Sequence, residues 1–166
     1  MPELVAFNVG SNRFKDLLDM SPEFVEGLWR ECCFSGFLVG QETLRRMQPL
    51  GKGTLIFTGA SASMRGKPKF GAFASAKAGL RMFAQAMARE FGPEGIHVAH
   101  VVVDGVVDGD RVNKFGGGAG RLYRLSKGSQ GSLSTEAIAE NYWHLHCQDP
   151  TAWTHELDLR PWRESW

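Results

Sequence analysis

Apolar residues gather along this chain in short continuous runs, and longer amphipathic stretches separate the runs. Residues 4–7, 54–58, 96–103 and 152–159 are such runs. Runs this short that end in Asn, Gly or Asp read as buried strands. Between them, apolar positions recur at helical spacing. Ser21-Pro22-Glu23 opens one helix, with Ser as N-cap, Pro in the first turn and an acid beside it. Val25, Leu28, Trp29, Cys32, Cys33, Phe37, Val39, Leu44 and Met47 carry its stripe towards Gln48, before Pro49. A second helix is predicted over 73–91, stopped by Gly92-Pro93, and a third over 135–146, capped by Ser134. Residues 64–71 are basic and broken by Gly and Pro, so they read as a loop. Residues 109–133 are polar and hold Gly116-Gly117-Gly118, and they are expected to form a flexible loop over a substrate site.

Continuous apolar strands alternating with long helices predict an α/β domain, in which a parallel sheet of about four strands has helices on both faces. In such sheets ligands sit beyond the carboxyl ends of the strands. Residues 8–11, 59–63 and 104–109 are expected there. No repeat or interdomain linker breaks the 166 residues, so they read as a single domain.

Composition narrows the function classes. Hydrophobic residues make up 43% and charged residues 22%, which excludes a wholly disordered chain. The net charge of +1 gives no attraction for nucleic acid or an anionic membrane. No apolar run is long enough to span a bilayer, and Met1-Pro2-Glu3 does not open a secretory signal. Three cysteines, two of them adjacent, suit a reducing cytoplasm better than a disulfide framework. His144 and His146 point about 200° apart on a helix and share an ion poorly, so no metal is expected. Arg65, Lys67 and Lys69 read as a solvated basic face, His97 and His100 as structural residues, and Trp153, Trp162 and Trp166 as core and tail packing.

Three stretches in order resemble the short-chain dehydrogenase/reductase family. Leu4-Val5-Ala6-Phe7-Asn8-Val9-Gly10 is similar to the Asn-Asn-Ala-Gly end of its fourth strand. Gly71-Ala72-Phe73-Ala74-Ser75-Ala76-Lys77 resembles its Tyr-x-x-x-Lys helix start. Residues 96–108 resemble its sixth strand and the following Pro-Gly turn, and 153–159 its seventh strand. The resemblance implies a Rossmann-like sheet made of the family's fourth to seventh strands. It also implies hydride transfer between NAD or NADP and a small alcohol or carbonyl. In this sequence no G-x-G-x-x-G pattern follows a strand, so no pyrophosphate cradle is expected, and the first strand is expected to form a sheet edge.

Carried over residue by residue, the resemblance makes Lys77 the ribose-holding and pKa-lowering lysine. The catalytic Tyr position falls on Phe73, which has no proton to give. The catalytic Ser position falls on Ala60, with Ser61 one place later as a weak substitute, and the Asn position falls on Cys33. Asn8 and Gly10 fall at the adenosine side of the cofactor. Gly105 stands in the Pro-Gly turn, and Val107 at the backbone that meets the nicotinamide carboxamide. The family's pairing through two long helices implies a homodimer through residues 22–48 and 73–91. Three readings stay open: a weak or inactive oxidoreductase, a non-catalytic dimerisation or binding module, and a fragment from a mis-called start.

Overall fold

The computed structural model describes residues 2–128 and 130–163, so the readings for Met1 and Trp166 lie outside it. Four strands form one parallel sheet: β1 (Leu4–Phe7), β2 (Gly53–Ala60), β3 (Ile96–Val103) and β6 (Glu156–Leu159), in the order β1-β2-β3-β6. Val5 lies opposite Leu55, Leu55 opposite Val98, and Val101 opposite Leu157. Among the described residues β1 pairs on one side only and forms an edge, as expected.

Alternation along the strands sorts side chains onto two faces. Phe7, Leu55, Phe57, Ile96 and Val98 point to one face, where Leu44 and Met47 of α2 (Ser35–Met47) and Leu80, Ala84 and Met87 of α3 (Gly71–Phe91) cover them. Ile56, Ala99 and Val101 point to the other face and pack on Leu145 of α6 (Thr135–His146). Burying a side chain such as Leu80 or Ile56 contributes about 2 kcal/mol, so these two layers supply the main cohesion. The sheet therefore has helices on both faces.

The first predicted helix is one rod with a fault in it. α1 (Pro22–Trp29) starts at Ser21, whose side chain accepts from Phe24 N, and runs through a π turn over Arg30–Phe34 into α2. The π turn places Cys32 and Cys33 together in the buried contact with Ala72, Phe73 and Ala76 of α3. The predicted last strand is shorter at its start, because Pro150–Ala152 makes a 3₁₀ turn capped by Asp149.

Residues 109–133 are not simply a loop. They hold α4 (Asp110–Lys114) and α5 (Ala119–Ser126), joined by Phe115–Gly118. Gly116, Gly117 and Gly118 take φ of 58°, 67° and 106°, the left-handed region where glycine has no Cβ penalty, and so turn one helix into the next. The flanks pair as two short parallel strands, β4 (Val107–Asp108) and β5 (Leu133–Ser134). Asp108 accepts from Arg124 Nη1 at 2.9 Å, tying α5 back to β4.

Candidate active site

A cleft of about 580 Å³ opens beyond the carboxyl ends of the main strands. Asn12 follows β1, Ser61 and Ala62 follow β2, and Asp104, Gly105 and Val106 follow β3. Phe73 on α3 and Tyr123 and Lys127 from the α5 region complete its wall. This is where an open parallel sheet leaves strand ends and loops free to converge.

Of the residues singled out in the sequence, Ser61, Phe73 and Gly105 share this cleft. Lys77 lies four residues after Phe73 on α3, which puts both on one helix face. Its side chain is buried, and Nζ donates to Thr58 O at 2.9 Å and Val9 O at 3.3 Å, clasping the ends of β2 and β1. An ammonium has three N–H donors. The third has no acceptor among the described residues. Burial pulls the Lys77 pKa down, while the nearby Cys32, Glu31 and Cys33 pull it up. Gly10 has φ +155°, and a Cβ there would stand 3.2 Å from Lys77 Nζ and 3.4 Å from Cys32 Sγ, so a side chain at this turn would crowd the ammonium.

Asn8 is exposed at the end of β1 and is not on the cleft lining. Val107 is drawn into β4 opposite Leu133, and its neighbour Val106 lines the cleft instead. Gly105 packs against Pro161, whose Cδ would be 2.7 Å from an added Cβ, so this turn has no room for a larger residue. Cys33 sits in the π turn with its thiol pKa pushed up by burial and the neighbouring Cys32 sulfur, the opposite of an activated nucleophile. Ser63, not Ser61, has the structural hydroxyl of the loop after β2: its Oγ accepts from Ala60 N at 3.1 Å. That leaves the Ser61 hydroxyl to the cleft.

Arg65 and Lys67 are exposed, as the reading of a solvated basic face has it. The basic loop folds back over the end of β3, so both line the cleft. Arg65 Nη2 donates to Asp104 Oδ1 and Oδ2 at 3.0 and 2.9 Å. Arg160, just after β6, donates to Asp104 Oδ2 from the buried side. Asp104 N also donates to Leu159 O at 2.9 Å, continuing the pairing of β3 with β6 into the site. Local patterning missed this cluster because its members are 39 and 56 positions apart.

The chain has two tyrosines. Tyr142 of α6 is bonded to Thr58 Oγ1 at 2.7 Å on the far face of the sheet, and burial pushes its phenol up. Tyr123 faces the cleft, with the Lys127 ammonium 5.5 Å from its ring centre. His97 stacks flat on Trp153 at 4.8 Å, a packing role for both, whereas Trp162 is exposed. Among the described residues no three His, Cys, Asp or Glu side chains come together as a metal centre requires.

A second polar cluster lies behind the cleft. Arg81 Nε and Nη2 donate to Glu156 at 2.6 and 2.8 Å, and His100 Nδ1 lies 3.0 Å from Glu156 Oε2. The Arg81 bond holds the Glu156 pKa down, so the carboxylate accepts and Nδ1 has the imidazole proton. Nε2 is then a buried acceptor with no partner among the described residues. Burial pushes the His100 pKa down to about 4, against the pull of Glu156. A group with a depressed folded pKa loses stability as pH falls through the interval between its unfolded and folded values. From pH 6.5 to about 4 the unfolded chain gains a proton that the folded chain refuses. Stability should drop by about 3 kcal/mol across that window. Urea midpoints at pH 7 and pH 4.5 measure the drop, and His100→Gln should flatten it.

The model of the short chain dehydrogenase family matches residues 3–116. That stretch takes in β1, β2, β3, Phe73, Lys77 and the Asp104-Gly105 turn. The chain belongs to this family. The chain is 29% identical over 106 residues to L-2,3-butanediol dehydrogenase of Corynebacterium glutamicum, covering 63% of this chain and 41% of that enzyme. It is 37% identical to a short-chain dehydrogenase structure from Rhodopseudomonas palustris, with a TM-score of 0.74, covering 96% of this chain and 62% of that one. A 4-hydroxyisoleucine dehydrogenase complexed with NADH shares the fold at a TM-score of 0.78 and 16% identity, covering 96% of this chain and 68% of that one. The chain thus spans about two fifths of that curated relative's length.

Proposed function

We propose that this chain is a nicotinamide-dependent oxidoreductase acting on a small alcohol or carbonyl, and that alone it turns over weakly or not at all. The observation that carries the reading is the strand-end cleft, in which Ser61, Phe73 and Gly105 meet one helical turn from the Lys77 ammonium. NAD or NADP, when bound, supplies or accepts the hydride. The third N–H of Lys77 would hold its ribose, and the backbone at Gly105 and Val106, on the cleft wall, its carboxamide. Ser61 donates to the substrate oxygen and orients it. Phe73 closes the wall and keeps water out, but it has no proton to give. No Gly-rich turn follows β1, β2 or β3, which weakens the grip on a pyrophosphate. The three free cysteines, two of them buried, fit a reducing cytoplasm. No helix among the described residues is long and apolar enough to cross a membrane.

Phe73 also favours a second reading, a non-catalytic module that dimerises through its helices. Trp29, Leu38, Val39 and Met82 expose apolar surface on those helices. One paired measurement separates the two. Calorimetry with millimolar NADH and NADPH should give a weak heat that Lys77→Met removes, while sedimentation reports the oligomer. A stable dimer with no heat overturns the oxidoreductase reading in favour of the module.

A further inference from the structure

The cleft has more positive charge than hydride transfer to a neutral ketone would use. Arg65 and Lys67 line it, and the one carboxylate among the described lining residues is Asp104. That carboxylate is already held from two sides, by Arg65 and by Arg160. The two guanidiniums differ in setting. The Arg160 side chain is 9% exposed and anchors Asp104 from behind, whereas that of Arg65 is 41% exposed and stands on the cleft wall. Both Arg65 bonds to Asp104 leave from Nη2, so Nε and Nη1 have no acceptor among the described residues. Asp104 therefore tethers the Arg65 guanidinium at one nitrogen without using up its donors. A guanidinium held in this way is set to receive an oxyanion, because charge-assisted bonds to carboxylate or phosphate are about twice as strong as neutral ones. Asn12 and Tyr123 add polar side chains to the same wall, and Ser61 lies on it too.

We infer that the cleft selects substrates carrying an anionic group, a carboxylate or a phosphate ester, and that Arg65 and Lys67 are the residues that read the charge. The assignment of that anion as a substrate rests on the oxidoreductase reading, but charge selection can be measured without turnover. Two matched pairs serve as probes: 2-oxobutanoate with its methyl ester, and dihydroxyacetone phosphate with dihydroxyacetone. Binding to this chain is followed by NMR titration at low salt and at about 0.3 M salt, where the screening length falls to roughly 6 Å. At low salt at least one anion should bind about tenfold tighter than its neutral partner. High salt should shrink the advantage, and Arg65→Gln and Lys67→Gln should each reduce it while circular dichroism shows the fold retained. Discrimination in one pair alone supports the inference and names the anion. Equal affinities within both pairs, no binding of either anion, or an advantage unchanged in a folded Arg65→Gln protein overturns it. Absence of cofactor heat with charge discrimination intact would instead sink the oxidoreductase reading and leave the anion site standing.

Discussion

Phe73→Tyr is expected to raise carbonyl reduction by this chain by about 10²–10⁴-fold, the usual worth of a positioned general acid. Phe73 is buried among Leu28, Cys32, Cys33, Ala72 and Ala76, yet it also reaches the cleft lining beside Ser61. A hydroxyl added at the ring tip has to point into the cleft, because the apolar side offers it no hydrogen-bond partner. Lys77 one turn on would favour the phenolate and so lower the new group's pKa towards the working range. The readout is NADH consumption over a set of small ketones, taken as a pH profile. The variant should gain a titrating limb that the parent chain lacks. Combining it with Lys77→Met should erase most of the gain, since the two groups would act as a unit. Unchanged rates and an unchanged profile would show that the proton travels by another route.

The sheet was legible because its signal is local and repeated. β1, β2 and β3 each announce themselves as an apolar run with a polar or Gly stop, and the two inner strands, β2 and β3, are buried on both faces. The expectation that residues 8–11, 59–63 and 104–109 gather at one end follows from that topology alone. Lys77 and Phe73 were legible through the resemblance of residues 71–77 to the family's Tyr-x-x-x-Lys helix start. The helices α4 and α5 were not, because segments of 5 and 8 residues have too little periodicity to read. Helices that short stand on tertiary contacts such as Arg124 with Asp108, not on propensity. The π turn was hidden for a related reason: one extra residue in a turn leaves an apolar stripe almost unchanged. The place of Arg65 on the cleft wall was not legible, because an exposed basic loop looks alike whether it points away from the site or folds over a strand end. Only the sheet order brings Arg65, Asp104 and Arg160 together, since β3 and β6 are neighbours in space and distant in sequence. The residues that give the cleft its charge are thus those that a one-dimensional reading separates.

That same cluster predicts the largest stability effect in the molecule. Asp104→Ala should destabilise the fold by about 3–5 kcal/mol, the cost of removing one partner from a buried ion pair. Asp104 is 4% exposed and the Arg160 side chain 9%, so little water can take over the lost carboxylate. The backbone bond from Asp104 N to Leu159 O survives the substitution, which isolates the side chain's share. For a chain of this length the melting temperature should fall by roughly 6–20 °C. Arg65→Ala removes the other guanidinium, but that side chain is 41% exposed, so its loss should cost no more than about 1 kcal/mol. Arg160→Ala should fall between the two, because Arg65 still satisfies both oxygens of Asp104. Thermal unfolding of the three variants therefore yields an order as well as a size. If Arg65→Ala proved as damaging as Asp104→Ala, Arg65 would be a structural brace, and its standing as a charge-reading side chain in the cleft would fall with it.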